Sequence, residues 1–370
     1  MVDLKSQYDE IRTEVLANIE EVLESSAFIK GDKLSQFEDQ LSSYLNIAHV
    51  IGCANGTDAI QIALMALDLK PGDEVITPAF SYIAAAEVLL VMGLKPVLCD
   101  VDLNTFEMKY DQLESLITDK TKAIIAVHLF GQCNNIDRLI DISDRHGLIL
   151  VEDNAQSIGS YYKSNTREGY AGSFGHIATS SFFPSKNLGA YGDGGAVMCQ
   201  DETLANKTRM ISSHGQSVKY VHDLLGINSR LDNLQAAVLN VKLKYLDKYR
   251  EARQRAASLY DDKLKDIKEI TIPARSETSS HVFHQYTIRV KNDKRDELKA
   301  YLAQNGISSA IYYPMPIYRQ KAYKSSFTLD FELTNTEILC KEVLSLPICS
   351  HISDNSIKFV VSHIKKFFNT

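Results

Sequence analysis

The sequence predicts an α/β fold, with a mainly parallel sheet covered by helices on both faces, followed by a smaller α+β unit. Three observations carry this. From about residue 45 to 200, short apolar runs alternate with amphipathic stretches, the pattern of β/α repeats. The runs are largely apolar, as strands buried on both faces require. Beyond about residue 231 the pattern gives way to a helix-rich segment and then to mixed strands and helices.

Each element has its own signal. Tyr8, Ile11, Val15, Ile19, Val22 and Leu23 recur at helical spacing and predict a helix over 5–24, with a second over 34–45. Strands are expected at 74–77, 96–99, 123–127 and 148–151, and helices at 57–68, 82–92, 110–117 and 136–146. Pro71-Gly72 and Gly93 mark turns between them. A further helix covers 201–213. Residues 231–263, dense in Leu, Ala, Lys and Arg, predict one long helix linking a large unit (1–245) to a small one (246–370). Within it, the basic run from Lys242 to Arg255 reads as a solvated face. The small unit should hold a strand near 284–290, a helix over 293–304, a strand near 307–312 and helices over 334–344 and 354–368. Phe359, Val360, Ile364 and Phe367 form the packed face of the last helix.

Composition narrows the function. With 370 residues, 45% hydrophobic and 24% charged, the chain has ample material for a core. A net charge of -7 and a pI near 5.8 argue against nucleic acid as a partner. No apolar stretch is long enough to span a bilayer, and Met1-Val-Asp-Leu-Lys5 carries no signal-peptide pattern. The six cysteines are widely spaced and lack a CxxC pair, so they read as reduced core residues of a cytoplasmic protein.

Three motifs could carry chemistry. Lys186 lies between the apolar run Ser181-Phe-Phe and the glycines 189, 192, 194 and 195, in a tight connection between two strands. Burial there would depress the amine's pKa and make it a nucleophile able to form a Schiff base; a surface loop lysine is the plain alternative. Asn55-Gly-Thr-Asp58 precedes an amphipathic helix, so the N–H groups of Gly56 and Thr57 could bind phosphate, or the segment could simply cap the helix. Asp153 falls just past the carboxyl end of a strand expected to be buried, at the edge where ligands bind in parallel sheets. It reads as a partner for a cation or as a helix cap, whereas a Mg²⁺ site lacks companion carboxylates. A lysine, an anion nest and an aspartate are together what pyridoxal phosphate needs for its aldehyde, phosphate and ring nitrogen. A dinucleotide site fits worse, because no GxGxxG follows a first strand.

Further motifs widen the match: Phe28-Ile-Lys-Gly31, Ala54-Asn-Gly-Thr-Asp-Ala59, Gly72-Asp-Glu-Val-Ile-Thr-Pro78, Val127-His-Leu-Phe-Gly131, Glu152-Asp-Asn-Ala-Gln156, Ser181-Phe-Phe-Pro-Ser-Lys186, Gly192-Asp-Gly-Gly195 and Asn228-Ser-Arg-Leu-Asp232. Nearly end to end, the chain resembles the DegT/DnrJ/EryC1/StrS sugar-nucleotide aminotransferases. The resemblance implies a fold type I pyridoxal-phosphate transferase, aspartate-aminotransferase-like, with a seven-stranded, mainly parallel sheet and a small C-terminal domain. It implies that Lys186 is the cofactor-binding lysine and acid/base, that Asp153 pairs with the pyridinium nitrogen, and that Gln156 sits near the ring hydroxyl. Gly56, Thr57 and Ser181 would hold the phosphate, and Tyr82 would stack on the ring. Asn228 would reach the phosphate from the other subunit of a homodimer, and Arg230 would bind an anionic substrate group across the same interface. Tyr312 and Tyr313 would line the sugar pocket; some relatives have His at the position of Tyr312.

Relatives acting as sugar 3-dehydratases have histidine in place of the lysine, so Lys186 implies transamination. The residues around Lys186 resemble the branch that aminates C3, nearest to enzymes of UDP-2-acetamido-2-deoxy-3-keto-glucuronate with glutamate as amine donor. The alternatives are a dTDP-3-keto-6-deoxyhexose aminotransferase and a silent cofactor-binding regulatory protein. His128 and His214 read as packing residues, and no metal is expected.

Overall fold

The computed structural model describes residues 1–324, 326–327 and 331–369. Helices α1 (Leu4–Ser25) and α2 (Asp32–Leu45) precede the sheet. Strands and helices then alternate: β1 (His49–Cys53), α3 (Gly56–Ala66), β2 (Glu74–Pro78), α4 (Ala84–Val91), β3 (Lys95–Cys99), α5 (Tyr110–Ser115), β4 (Thr121–Val127), α6 (Ile136–His146) and β5 (Ile149–Asp153). A hairpin, β6 (Tyr161–Lys163) and β7 (Glu168–Tyr170), comes before β8 (Ile177–Ser181) and β9 (Gly195–Cys199). Helix α7 (Glu202–Ile211) leads to a second hairpin, β10 (Gln216–Val218) and β11 (Val221–His222), and then to α8 (Asn233–Leu243) and α9 (Leu246–Leu264). The chain ends with β12 (Ile270–Thr271), β13 (Tyr286–Val290), α10 (Arg295–Gln304), α11 (Thr334–Glu342), β14 (Val343–Leu346) and α12 (Asp354–Phe368).

Seven strands form the main sheet in the order β1-β9-β8-β5-β4-β2-β3. β9 runs antiparallel to both neighbours, and every other pair is parallel. Six strands therefore end at one edge. Helical layers bury both faces, which is why Ile124 and Ile125 of β4 are both fully buried despite pointing opposite ways. Ile125, Val127, Val151 and Ile177 pack with α3 and α4, while Ile124 and Leu150 pack with α6. Local chemistry sets the helix ends. Asn135 caps α6 by accepting from the Arg138 N–H at 3.1 Å, and Gly147 ends it in the left-handed region at φ 61°.

The C-terminal part has its own core, in which Tyr260, Leu264, Tyr286, Ile288, Leu302, Leu346 and Ile364 pack together around the antiparallel sheet β12-β13-β14. Several expectations fail here. The linking helix is two helices, because the chain tightens to three-residue turns at Lys244 and Tyr245. No Gly or Pro announces that break. The strand expected near 307–312 is a single bridge between Ala310 and Ser345, on the edge of β14 that β13 leaves free. Tyr312 and Tyr313 pack instead against the main core. The basic run is also not uniformly solvated: Lys242 and Arg253 are buried. Asp153 proves to be the last residue of β5, and the strand before Lys186 stops at Ser181, short of Phe182. All six cysteines are free and buried. Among the described residues, no helix is long and apolar enough to cross a membrane.

Candidate active site

Helix α3 begins where β1 stops. Asn55 caps it, its side-chain oxygen accepting from the Asp58 N–H at 2.8 Å, and the N–H groups of Gly56 and Thr57 lie at the positive end of the helix. Capping and anion binding are thus compatible uses of one segment. The end of β8 closes on this turn: a Cβ on Gly56 would come within 2.6 Å of the Ser181 Cβ. Gly195 is equally confined, since a Cβ there would lie 2.4 Å from the Asn55 backbone. Glycine at both positions lets the sheet edge and the helix N-terminus form a small cradle rimmed by the Ser181 hydroxyl.

Asp153 is level with Val127 on β4 and Thr179 on β8. Strand parity puts Asp153, Thr179 and Ser181 on the α3 side of the sheet. The Asp153 carboxylate accepts the Ala155 N–H at 3.0 Å. Burial raises its pKa, while that N–H and the charge of Lys186 work against the rise. Lys186 faces it from the β8–β9 connection, its own N–H donating to the Phe183 carbonyl at 2.8 Å. Burial lowers the Lys186 amine to about 8, opposed by the charge of Asp153. His284 adjoins the same group. Burial, with the charges of Lys186 and Arg253, keeps its imidazole well below its ordinary value. The buried Thr179 hydroxyl, on the same face, has no hydrogen-bond partner among the described residues.

Gln156 closes one side. Its Oε1 accepts the Phe130 N–H at 2.8 Å, and its Nε2 donates to the Tyr313 hydroxyl at 3.2 Å. The Tyr313 ring also packs edge-on against Phe80 at 5.9 Å and tilts toward Tyr82 at 6.3 Å. Tyr82 is 58% exposed, so one ring face is open to a ligand. Lys186, Asp153, Gln156, Tyr82 and Tyr313 therefore converge, and Gly56, Thr57 and Ser181 form the adjoining cradle. Tyr312 lies beside Tyr313, with ring centroids 6.0 Å apart.

Asn228 and Arg230 do not join this group. Asn228 is exposed and bridges to Ser213, and Arg230 lines a separate groove of about 230 Å³ with Lys30, Glu38 and Arg209. Sequence reasoning missed His284, Phe80 and Thr179. Only Thr179 had a signal, two residues before Ser181 on the same strand face.

A half-buried lysine opposite a buried carboxylate, with the unpartnered Thr179 hydroxyl and an anion cradle alongside, fits pyridoxal phosphate. Comparison with known proteins decides the family, because residues 9–365 match the DegT/DnrJ/EryC1/StrS aminotransferase family. The chain belongs to that family. Among curated relatives, a "pleiotropic regulatory protein" of Geobacillus stearothermophilus is 43% identical over 100% of this chain and 98% of its own. A UDP-N-acetyl-3-dehydro-α-D-glucosamine 3-aminotransferase of Acidithiobacillus ferrooxidans is 40% identical over 99% and 97%. A UDP-2-acetamido-2-deoxy-3-oxo-D-glucuronate aminotransferase of Pseudomonas aeruginosa is 40% identical over 97% of each chain. A family aminotransferase from Brucella abortus superposes with TM-score 0.94 at 38% identity over 100% and 99%. NtdA of Bacillus subtilis, solved with pyridoxamine phosphate, superposes with TM-score 0.90 at 34% identity over 98% and 82%. Like its relatives, this family member is a pyridoxal-phosphate-dependent aminotransferase with the seven-stranded α/β fold expected from its motifs.

Proposed function

We propose that the enzyme moves an amino group from glutamate to C3 of a UDP-linked 2-acetamido-3-keto sugar, with UDP-2-acetamido-2-deoxy-3-keto-glucuronate as the substrate. The observation that carries the reaction is Lys186 facing Asp153 at the carboxyl edge of the sheet. The sugar class follows the two relatives at 40% identity, which share the UDP, the 2-acetamido group and the 3-keto carbon. Bound pyridoxal phosphate supplies an electron sink. In this reading Lys186 accepts and returns the proton at the reacting carbon, which a pKa near 8 suits at neutral pH. Asp153 keeps the pyridine nitrogen protonated, and the N–H groups of Gly56 and Thr57 with the Ser181 hydroxyl bind the phosphate. Gln156 has one amide proton left for the ring hydroxyl, and Tyr82 covers the ring face. Tyr312 and Tyr313 line the sugar side.

Asn228 and Arg230 act in the site of a second copy, which their separation from Lys186 supports. The working unit is then a homodimer, its small domain starting near the α8–α9 break and its product serving surface polysaccharide synthesis, as in an O-antigen. Six buried free thiols favour a reducing, cytoplasmic setting.

The test loads the protein with pyridoxamine phosphate and presents UDP- and dTDP-linked 3-keto sugars, following the visible spectrum. Return to the yellow form with the UDP-glucuronate compound is expected. Return only with a dTDP-linked 3-keto-6-deoxyhexose would overturn the sugar assignment. The regulatory name of the relative at 43% favours one other reading, a silent cofactor-binding protein. Failure of glutamate, or any other amino acid, to bleach the yellow form would establish that reading instead.

A further inference from the structure

Next to Asp153 on β5, and pointing to the opposite face of the sheet, Glu152 is fully buried. Its neighbours in register are Ala126 on β4 and Ala178 on β8, whose small side chains leave room for a carboxylate between packed strands. Both of its oxygens are doubly engaged. Oε1 accepts the N–H groups of Phe174 at 2.7 Å and Gly175 at 2.6 Å. Oε2 accepts the Gly172 N–H at 2.8 Å and meets His128 Nε2 at 2.8 Å. The loop is shaped for this: Gly172 has φ 90°, and a Cβ on Gly175 would lie 2.8 Å from the Leu150 carbonyl oxygen. Four donors on one buried carboxylate offset its desolvation.

The histidine has one orientation and one tautomer. The Asn134 N–H at 3.2 Å and its side-chain amide at 3.1 Å both point at His128 Nδ1, which must therefore accept. Nε2 then carries the proton and donates to Glu152. Asn134 is itself tied to the Val127 carbonyl at 2.8 Å. The backbone completes the brace: the His128 N–H donates to the Asp153 carbonyl at 3.1 Å, and the Asn154 N–H to the Thr179 carbonyl at 2.8 Å. Cys133 lies 3.8 Å from His128, so three residues of metal-binding type cluster here. The Nε2 proton and the four donors on Glu152 already use their ligand atoms within the protein.

We propose that Glu152 and His128 are positioning residues for Asp153, locking the ends of β4, β5 and β8 so that the Asp153 carboxylate projects toward Lys186 in one fixed orientation. The inference rests on the cofactor role of Asp153 given above. It makes the His128–Glu152 pair part of the site's support, beyond the packing role expected for this histidine.

Glu152→Gln tests it, because the new amide must turn its NH₂ toward two donors. With pyridoxal phosphate bound, the pH titration of its visible absorbance should shift by roughly one unit relative to wild type. kcat should fall by on the order of a hundredfold, as a misplacement of about 1 Å can produce. His128→Gln, which can still donate to Glu152, should retain most of both, and His128→Phe should retain neither. A purely structural role would lower the melting temperature of the variants yet leave the spectral titration of the folded protein at the wild-type position, and that outcome would overturn the proposal. If wild type itself binds no pyridoxal phosphate at Lys186, the reading of the site fails first. If wild type binds it and Glu152→Gln titrates identically, only this inference fails.

Discussion

Lys186 shows how much a single side chain can disclose and where its information stops. The glycine-rich connection around it leaves both a confined amine and a surface one open, and the family resemblance makes a lysine in that place imply transamination. The sequence alone could not say what the amine faces. The fold brings it to Asp153 and His284, 33 and 98 residues away in the chain, and burial lowers it from 10.5 to about 8. A pKa below the ordinary lysine value means a larger neutral fraction at any pH under 10.5. In the cofactor-free protein, acylation of Lys186 should therefore rise about tenfold per pH unit up to about pH 8 and level off above it. Peptide mapping after timed labelling would show this. A plateau only beyond pH 10 would mean the amine is solvated. The Gln156–Tyr313 contact was beyond sequence reasoning in another way, since 157 residues separate the partners and neither has a local signal for the other.

Elements were more legible than their junctions. Long amphipathic helices and buried strands of the sheet announce themselves by period, so α1, α6 and α12 fall within a residue or two of expectation. The short strands β12 and β14 and the break between α8 and α9 have no periodic signal, because only pairing across the fold creates them. One junction ties the C-terminal part of the chain to the main sheet directly. Asp100, just past β3, accepts the N–H groups of Asn335 and Thr336, each at 2.9 Å, and the Thr336 hydroxyl at 2.7 Å. A residue at the edge of the main sheet thus caps α11, whose Leu339 and Cys340 pack into the main core. Asp100→Ala would strand these donors and should lower stability by about 2–3 kcal/mol in urea unfolding. An unchanged midpoint would mean that water satisfies α11 equally well.

At the scale of the molecule, the second hairpin stands out. Val218, Tyr220 and Leu225 are 63%, 80% and 89% exposed, apolar side chains close in sequence to Asn228 and Arg230. A second copy covering them would also receive Asn228 and Arg230. Subunit mixing tests this. With the proposed homodimer as the working unit, Lys186→Ala and Asn228→Ala are each expected to be inactive when purified alone. Refolded together in equal amounts, they should recover about a quarter of wild-type activity, because half the dimers are mixed and each mixed dimer has one intact site. No recovery would place Asn228 in the site of its own chain.

What the sequence determined by itself was the family: the motifs holding Lys186, Asp153 and Asn55-Gly-Thr-Asp58 are local runs, and their match does not depend on packing. What only the tertiary structure decided was which groups surround them. Desolvation of Lys186, the brace of Glu152 and His128 behind Asp153 and the meeting of Gln156 with Tyr313 depend on distances between segments remote in the chain. Burial and hydrogen bonding act through space, and a one-dimensional pattern records only neighbours along the backbone.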